Sequence, residues 1–515
     1  MGLSRSIFRH TAIYSAAMVI GKLSGFLMLP FYAHIFQTEG YGVIAMIETS
    51  LGILTVLLAG GLQTAILRIY HEQPPERKAL ALGTGMRLVW GLAVGLALLP
   101  FIFSVPLSRL ILGSPEYYSL ICLALTTFVI DVAGQSASTF LVIKERSVLY
   151  SFIGLVRMFL GIGLNIWLVL ILKVGLVGVF ISSLITAAVA SLVFHIVAIR
   201  DHGFGFDREI SAQLLRFQLP MLPGDIVSFL GRQAERILVR IQIGLQGVGI
   251  LEMAYKFPPL LNLFISIPFQ RAWRTKSFEI AEQPAAPVVM GMMLTRYFYL
   301  LVFAGLILAV TIPQILELMT PPEFWPAVRI TRVEVVTTIL SSCNTFMLFG
   351  IFYSKHTRLI SRMVIILTPL KIALAYVLIS TWGLTGAAYS AAIIAAITLM
   401  WSSIRSQQYY PIAIEYRNLF LIVISAVMLF YVLEGNRYAD FAPAVYLRTQ
   451  LMPGLVDALQ TTWMGSWKSG KLIELLRERE EPFVIMLFNL LSCMTYAALI
   501  PLVWKPEPEQ GEASA

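Results

Sequence analysis

Ionisable side chains lie in the middle of several long apolar segments of this sequence. The central ones are Lys22, Asp131, Arg157, Asp225 and Lys371. A charge at the centre of a bilayer is costly, so such residues usually face a wet cavity or a partner of opposite sign. The cations outnumber the carboxylates, which favours a cavity that attracts an anion with several charges, such as phosphate or pyrophosphate.

Further charged residues lie nearer the predicted outer ends of the segments: Glu48, Arg232, Glu235, Arg236, Arg240, Glu252, Lys256 and Glu334. From both sets we expect five cations to contact the anion, namely Lys22, Arg157, Lys256, Lys371 and Arg232. The candidates for coupling an ion are Asp131, Glu48 and Glu252. A structural alternative remains open, in which Asp131 simply pairs with Arg157 or Lys22, and Glu235 with Arg236 or Arg232.

Two prolines interrupt the seventh apolar segment, in Leu219-Pro220-Met221-Leu222-Pro223. Proline removes a backbone donor and kinks a helix, and the freed backbone groups need a cavity or a neighbouring helix. Pro220 and Pro223 therefore predict a hinge, and the alternative is a kink that serves packing alone.

The sequence carries no constellation typical of an enzyme. Its three cysteines, Cys122, Cys343 and Cys493, are isolated in apolar segments, which favours neither a metal site nor a disulfide framework. No Ser/His/Asp spacing recurs, and no glycine-rich phosphate loop follows a strand. We therefore expect no catalysis, no cofactor and no metal.

The composition points to a membrane protein. Of 515 residues, 58% are hydrophobic and only 13% are charged, whereas soluble domains carry about 25% charged residues. A soluble enzyme, a receptor with one span and a disulfide-stapled secreted module are excluded. The net charge of +9 is expected from cytoplasmic loops rather than from nucleic-acid binding.

These residues must be positioned by membrane-spanning helices of roughly 20 residues each. About fourteen spans are predicted, at 11–36, 42–66, 80–104, 117–140, 149–172, 175–199, 212–233, 247–269, 294–317, 330–352, 359–380, 383–404, 417–434 and 482–504. Alternate loops carry the lysines and arginines, from Arg5 and Arg9 to Arg405, while the opposite loops of the first half hold only Arg109 and Lys173. The fold is predicted to be all-α and polytopic, with both termini cytoplasmic.

The chain matches itself at an offset of 207 or 208 residues. Glu39 to Val43 aligns with Gln246 to Ile250, and Gly175 to Gly178 with Gly383 to Gly386. A repeat of six spans predicts two parallel lobes that rock to give alternating access. The predicted domains are an N-terminal lobe 1–200, a cytoplasmic linker 201–211, a C-terminal lobe 212–410, two extra helices in 411–505 and a disordered tail 506–515.

The two extra helices are joined by an unusually long outer loop, 435–481. It contains Trp463 and Trp467 and a short amphipathic stretch near Leu472. An interfacial helix is the simpler interpretation, and a gate or a docking site for a partner is the alternative.

Two groups of motifs resemble a known family. The segment Gly21 to Tyr32 and the motif Glu39-Gly40-Tyr41-Gly42 resemble the first span and loop of Wzx-type polysaccharide flippases. That family belongs to the multidrug/oligosaccharidyl-lipid/polysaccharide exporter superfamily. The prolines 220 and 223, then Glu235-Arg236 and Gly244 to Tyr255, look like its second-half signature, in which Asp-Arg is commoner than Glu-Arg. The resemblance covers spans 1 to 12 and has no counterpart for 435–481.

The resemblance implies a transporter of the bacterial inner membrane that takes part in polysaccharide biosynthesis. Its substrate would be a polyprenyl-pyrophosphate-linked oligosaccharide, turned to the outer face through a cationic cavity between two lobes. Membrane lipids, and a polysaccharide polymerase or export machinery, would be its partners. Because Lys22 stands among apolar neighbours where peptidoglycan-precursor flippases tend to have arginines, an exopolysaccharide or O-antigen unit ranks first. An organic-cation antiporter and a polysaccharide polymerase or ligase remain alternatives.

Overall fold

The structure is a computed structural model, and it describes residues 2–59, 61–203 and 205–436 together with residues 486, 489, 490, 493 and 494. The side chains before Gly25 lie outside the described part. Every regular element in these ranges is helical. Predicted loop 435–481, beyond Asn436, and tail 506–515 lie outside the described residues.

Nine helices precede residue 245: α1 Gly2–Ala59, α2 Leu62–Glu72, α3 Pro75–Ile102, α4 Ser104–Leu112, α5 Tyr118–Ile143, α6 Ser147–Asn165, α7 Leu176–His202, α8 Arg208–Gln218 and α9 Leu222–Gln242. Nine more follow in the described range up to 436: α10 Leu245–Tyr255, α11 Pro259–Leu261, α12 Ile267–Ala281, α13 Ala286–Met319, α14 Ala327–Met347, α15 Phe349–Tyr353, α16 Arg358–Trp382, α17 Leu384–Tyr409 and α18 Tyr416–Asn436. Two π-helical turns, Ile166–Ile171 and Asn262–Ser266, continue α6 and precede α12.

Eleven helical segments of the described part are long and apolar enough to cross a membrane. They differ from the fourteen predicted spans at three places. Spans 1 and 2 fall in one helical run, which is kinked at Gln37. Span 7 is broken and more polar, and most of span 14 lies outside the described residues. The prediction of an all-α protein that crosses the membrane many times is confirmed.

The chain divides into two compact units, Met1–Gly249 and Ile250–Ala515. In the first unit, α5 packs closely on α7, where Gly134 lies so near Ser191 that a Cβ would approach the serine Cβ to 2.9 Å. In the second unit, a stack of aromatic rings joins α12, α13 and α14. Phe269 lies 4.0 Å from Tyr297 and Trp273 lies 4.3 Å from Phe346, measured between ring centroids. The predicted lobes 1–200 and 212–410 stay a prediction.

Unusual backbone angles recur at the offset of the predicted repeat. Gly175 and Gly383, the residues before α7 and α17, have nearly the same conformation, with φ 73° and ψ −147° against φ 60° and ψ −140°. Gln37 and Gly244, 207 positions apart, also have positive φ values of 54° and 108°. Positive φ is uncommon for a residue other than glycine, so its occurrence at Gln37, opposite Gly244 at the same offset, supports the internal repeat.

A reciprocal contact joins two segments that the repeat makes equivalent. A Cβ on Gly42 would collide with the carbonyl of Leu245, and a Cβ on Gly249 would collide with the carbonyl of Thr38. The offset of 207 converts the first contact into the second. Both contacts lie within the first unit. We call these four residues the glycine clasp, in which α1 and α10 approach with backbone against backbone.

The predicted seventh span breaks where its prolines stand. Helix α8 ends at Gln218, a turn covers 219–221, and α9 begins at Leu222 with Pro223 in its first turn. Proline is well suited to a first helical turn because its missing N–H would have no partner there. The break at Pro220 and Pro223 is therefore present, while their role as a hinge stays a prediction.

The predicted linker 201–211 is mostly helical. Helix α7 runs to His202 and α8 begins at Arg208. Asp207 caps α8, since its carboxylate accepts hydrogen bonds from the backbone N–H groups of Glu209 at 2.8 Å and Ile210 at 3.1 Å. Its other oxygen accepts from Arg77 at 2.6 Å. The linker is thereby attached to the start of α3.

Candidate functional site

The predicted site residues are divided between the two units. Arg157, Arg232, Asp131 and Glu48 belong to the first unit, and Lys256, Lys371 and Glu252 to the second. The Lys22 side chain lies outside the described part. Their separation means that each unit presents its own charged groups, which are described in turn.

The first unit brings Asp131 and Arg157 together as an ion pair. A guanidinium nitrogen of Arg157 lies 2.6 Å from Asp131 Oδ1, and the two side chains are 38% and 28% exposed. The side-chain amide of Gln135 donates to Asp131 Oδ2 at 3.2 Å, and Gln63 donates to Gln135 at 3.2 Å. A polar chain thus crosses from α2 through α5 to α6.

This pairing corresponds to the structural alternative for Asp131. The guanidinium and the carboxylate neutralise each other locally, so neither acts as an isolated charge in this conformation. Anion binding by Arg157 and ion coupling by Asp131 remain predictions. Each requires the pair to open or to reorganise.

A second polar contact of the first unit joins α1 to the end of α6. Tyr32 donates its hydroxyl hydrogen to Asn165 Oδ1 at 2.6 Å, and the amide of Asn165 donates to Ser182 Oγ at 2.6 Å. The π-helical turn 166–171 begins directly after Asn165. Sequence reasoning missed this link, although a tyrosine and an asparagine inside predicted spans were a usable signal.

The second unit places Lys371 in a small polar pocket between α14, α16 and α17. The pocket has a volume of about 180 Å³, and its lining consists of Thr337, Ser341, Asn344, Lys371, Ala391, Ile394, Ala395 and Thr398. Complete small-molecule sites usually measure roughly 300–1,000 Å³. This pocket therefore suits one charged group of a larger ligand rather than the whole ligand.

The donors of the pocket suit an anion. The hydroxyl groups of Thr337 and Thr398 donate to carbonyl groups of their own helices, at 3.1 and 2.7 Å. The side-chain oxygen of Asn344 accepts from Ser402. Lys371 and Asn344 bring an ammonium and an amide nitrogen to the lining, and charge-assisted hydrogen bonds from such groups recognise phosphate oxygens.

The other predicted site residues with described side chains are exposed or half-buried. Arg232, Glu48 and Lys256 are exposed, and Glu252 is half-buried. Within the described ranges no three His, Cys, Asp or Glu side chains group as metal ligands would. Of the predicted cations with described side chains, Arg232 and Lys256 are thus exposed, while Arg157 and Lys371 are half-buried.

Sequence reasoning also missed an ion pair of the second unit. Arg332 donates from Nη1 and Nη2 to the carboxylate of Glu434, at 3.1 and 2.5 Å, and from Nε to the carbonyl of Ala309 at 2.9 Å. The guanidinium also lies 5.0 Å from the ring centroid of Phe430. The signal was two opposite charges at the predicted outer ends of spans 10 and 13.

Comparison with known proteins identifies a family and a relative that are named for polysaccharide biosynthesis. The family described as "Polysaccharide biosynthesis protein" matches residues 7–274. The succinoglycan biosynthesis transport protein ExoT of Rhizobium meliloti (strain 1021) is 24% identical over 237 residues, which are 46% of this chain and 47% of that protein. The chain thus matches about half the length of this curated relative.

Solved structures with the same fold are membrane transporters. The lipid II flippase MurJ in an inward closed conformation has a TM-score of 0.72 at 13% identity, over 96% of this chain and 100% of that chain. An inward-facing multidrug resistance MATE family transporter of the MOP superfamily has a TM-score of 0.55 at 16% identity, over 78% of this chain and 98% of that chain. At these identities the likeness shows the fold alone.

The family match covers just over half of the 515 residues. It includes both groups of motifs that resemble the flippase family, the second of which ends at Tyr255. The chain belongs to the polysaccharide biosynthesis protein family.

Proposed function

We propose that this protein is a flippase that moves a polyprenyl-pyrophosphate-linked oligosaccharide from the cytoplasmic to the outer face of the bacterial inner membrane. It works by alternating access and is not an enzyme. The family, the relative named for succinoglycan transport and the MurJ-like fold support this proposal. Both termini are cytoplasmic, and a polysaccharide polymerase or export machinery receives the product.

The single observation that carries the proposal is the pocket around Lys371. It combines an intramembrane cation with donor groups in a space of about 180 Å³, which suits one phosphate of a lipid-linked pyrophosphate. Lys371 lies in α16, two residues after Pro369 inside the same helix. We assign Lys371 to the pyrophosphate, with Lys22, Arg157, Arg232 and Lys256 as further contacts along the path.

The cation antiporter is less well supported. An organic-cation antiporter would favour a cavity lined by carboxylates that have no protein cation beside them. Asp131, the central carboxylate of the first half, is instead held by Arg157 at 2.6 Å.

The other alternative is a polysaccharide polymerase or ligase with its active site in the long outer loop. Deletion of 440–478 should then abolish polymerisation, whereas a flippase should stay partly active.

The proposal is tested by charge changes at Lys371 in vesicles that contain the purified protein and a fluorescent lipid-linked oligosaccharide. We expect Lys371→Gln to slow translocation at least about tenfold, the effect of losing a charge-assisted hydrogen bond, and Lys371→Glu to slow it further. Arg362→Gln is the matched control, because Arg362 is an exposed cation on the same helix. Translocation by Lys371→Glu at the wild-type rate would contradict the assignment.

A further inference from the structure

The first unit contains a large apolar pocket that the proposed function does not use. Its volume is about 450 Å³, and its walls come from α1, α3, α4, α5 and α9. This volume lies within the roughly 300–1,000 Å³ of typical ligand sites. The pocket lies at the predicted outer ends of the spans. Its lining residues on α1 begin at Met46, one turn after Gly42 of the glycine clasp.

The walls of this pocket are suited to hydrocarbon. Most lining side chains are aliphatic, as are Leu51, Leu54 and Ile237. The hydroxyl of Ser50, one of the few polar groups, donates to the carbonyl of Met46 at 2.8 Å in its own helix. A water molecule needs two to four polar partners to occupy a cavity, so an apolar chain is the better occupant.

One cation is fixed in the lining of the pocket. Arg240 on α9 donates from Nε to the carbonyl of Ile111 at 2.9 Å. Its Nη2 lies so close to Gly113 that a Cβ there would approach to 2.6 Å, and Gly113 itself has φ 78°. Glycine at 113 thus satisfies the left-handed turn after α4 and makes room for the guanidinium.

The pocket is accessible from the surface. Leu110 on α4 and Ile241 on α9 line it and are 79% and 70% exposed. Two exposed aliphatic side chains thus border the opening of the pocket, and an apolar ligand contacts such side chains favourably. A chain can therefore enter the pocket between α4 and α9, beside Arg240.

An apolar pocket with a cation directly in its wall fits an amphiphile whose charge adjoins its chain. In a polyprenyl phosphate the phosphate is attached to the first isoprene unit. In a phospholipid a glycerol ester separates the phosphate from the acyl chains. Arg guanidinium groups bind phosphate through paired hydrogen bonds. We propose that this pocket holds the phosphate-proximal isoprene units of the carrier lipid, with Arg240 contacting the phosphate.

This inference rests on the proposed function, because it concerns the lipid part of the same substrate. In this scheme Lys371 in the second unit binds the pyrophosphate. The pocket in the first unit binds the polyprenyl chain near the outer side of the membrane. The pocket would then hold the carrier lipid after its head group has crossed.

Photolabelling of the full-length protein in phosphatidylcholine and phosphatidylglycerol vesicles tests the proposal. The probe is a polyprenyl monophosphate with a diazirine in its first isoprene unit, and labelled peptides are mapped by mass spectrometry. We expect labelling within 46–54 or 229–241. Leu54→Trp and Ile237→Trp, which fill the pocket, should each reduce labelling about tenfold, as should Arg240→Gln, whereas Arg240→Lys should retain part of it.

The controls decide between a carrier-lipid site and a site for bulk lipid. Leu99→Trp, at a side chain that is 64% exposed and outside the pocket, should label as the wild type does. Excess unlabelled polyprenyl phosphate should compete, and added phosphatidylglycerol should not. Equal competition by phosphatidylglycerol, or labelling confined to other segments in all variants, would overturn the inference.

The two proposals fail in different ways. If the probe labels the wild-type protein as expected but the protein moves no lipid-linked oligosaccharide, the proposed function is wrong. The assignment of the pocket to a polyprenyl phosphate is then retained. If Leu54→Trp and Ile237→Trp are folded, as judged by thermal unfolding, and translocate at the wild-type rate, the pocket has no part in transport. The flippase function would then stand without it.

Discussion

At the scale of single residues, the ion pair of Asp131 and Arg157 is the clearest case of a charge that has a partner. Its two side chains are about a third exposed, so its energy falls between that of surface pairs and that of buried ones. The pair holds α5 to α6 and must reorganise before either residue binds a ligand. Its disruption therefore affects both stability and transport.

We predict that Asp131→Asn lowers the free energy of unfolding by about 1–3 kcal/mol, between the values for exposed and buried pairs. Thermal or denaturant unfolding in detergent measures this. Glu72→Gln is the control, because the pair of Arg68 and Glu72 is 60% and 56% exposed and should contribute less than about 0.5 kcal/mol. Equal losses in both variants would contradict the intermediate burial of the central pair.

Asp207 supplies a prediction about pH. The backbone hydrogen bonds from Ile210 and Glu209, together with the side-chain hydrogen bond and the charge of Arg77, hold the pKa of this carboxyl below its ordinary value of 3.8. A lowered folded-state pKa gives stability that is present above the ordinary pKa and is lost as the pH falls through the folded value. Part of the attachment of α8 to α3 is therefore acid-sensitive.

We expect the melting temperature of Asp207→Asn to fall less than that of the wild type between about pH 6 and pH 3. Arg77→Gln should give an intermediate acid dependence, because it removes one of the three interactions. Thermal unfolding across that pH range measures both. An unchanged acid dependence in Asp207→Asn would show that this carboxyl does not contribute.

At the scale of helices, the glycine clasp joins α1 to α10 where no side chain fits. A Cβ at Gly42 would overlap the carbonyl of Leu245, so the two backbones must separate or bend. We predict that Gly42→Ala destabilises the protein by at least about 1–3 kcal/mol, as overpacking usually does. A shift in the thermal unfolding of the purified protein measures this effect.

Gly91→Ala is the matched control for the clasp. Gly91 lies within α3, and a Cβ there would meet nothing within 4 Å. Alanine is a better helix former than glycine by about 1 kcal/mol, so this variant should be neutral or more stable. A Gly42→Ala variant that was equally neutral or more stable would contradict the close approach of α1 and α10.

Helix α18 is held to the second unit by both apolar packing and charge. Ile422, Ala426 and Leu433 pack with Tyr299 and Val310 of α13, and Glu434 near the end of α18 binds Arg332 of α14. The predicted topology places both charged residues at the outer side, and their contact agrees with it. This helix belongs to the two that the sequence repeat does not include.

We predict that Glu434→Gln costs about 3 kcal/mol of unfolding free energy, because it leaves the half-buried Arg332 without its carboxylate. The double variant Arg332→Met with Glu434→Leu should recover most of the loss, since apolar side chains can replace a buried pair. Unfolding measurements on the three proteins give the comparison. A double variant as unstable as the single one would contradict the pairing.

The sequence predicts some of these features well and others poorly, for physical reasons. Long apolar runs indicate membrane helices, and the break at Pro220 and Pro223 follows from proline chemistry. The partner of Arg332 and the glycine clasp at Gly42 depend on which helices pack against each other. Hydropathy carries no information about that packing. The pairing of Asp131 was one of two open choices, because Lys22 and Arg157 are both central cations of the first half.

At the scale of the whole molecule, the two units share one unusual backbone feature. The residues before α7 and α17 share an unusual conformation at an offset of 208. Duplicated halves are how many secondary transporters achieve alternating access. In our proposal the first unit contributes the apolar pocket and the second the pocket around Lys371. In that proposal, transport couples binding of the polyprenyl chain to recognition of the head group.

The most direct test of the flippase proposal follows the substrate itself. Purified protein is reconstituted into vesicles with a polyprenyl-pyrophosphate-linked oligosaccharide whose sugar carries a fluorophore, and a membrane-impermeant quencher is added outside. We predict that the wild-type protein makes the inner-leaflet pool accessible to the quencher, whereas Lys371→Glu leaves it protected as in vesicles without protein. An inner pool that stays protected with folded wild-type protein, with and without an ion gradient or membrane potential, would contradict the proposal.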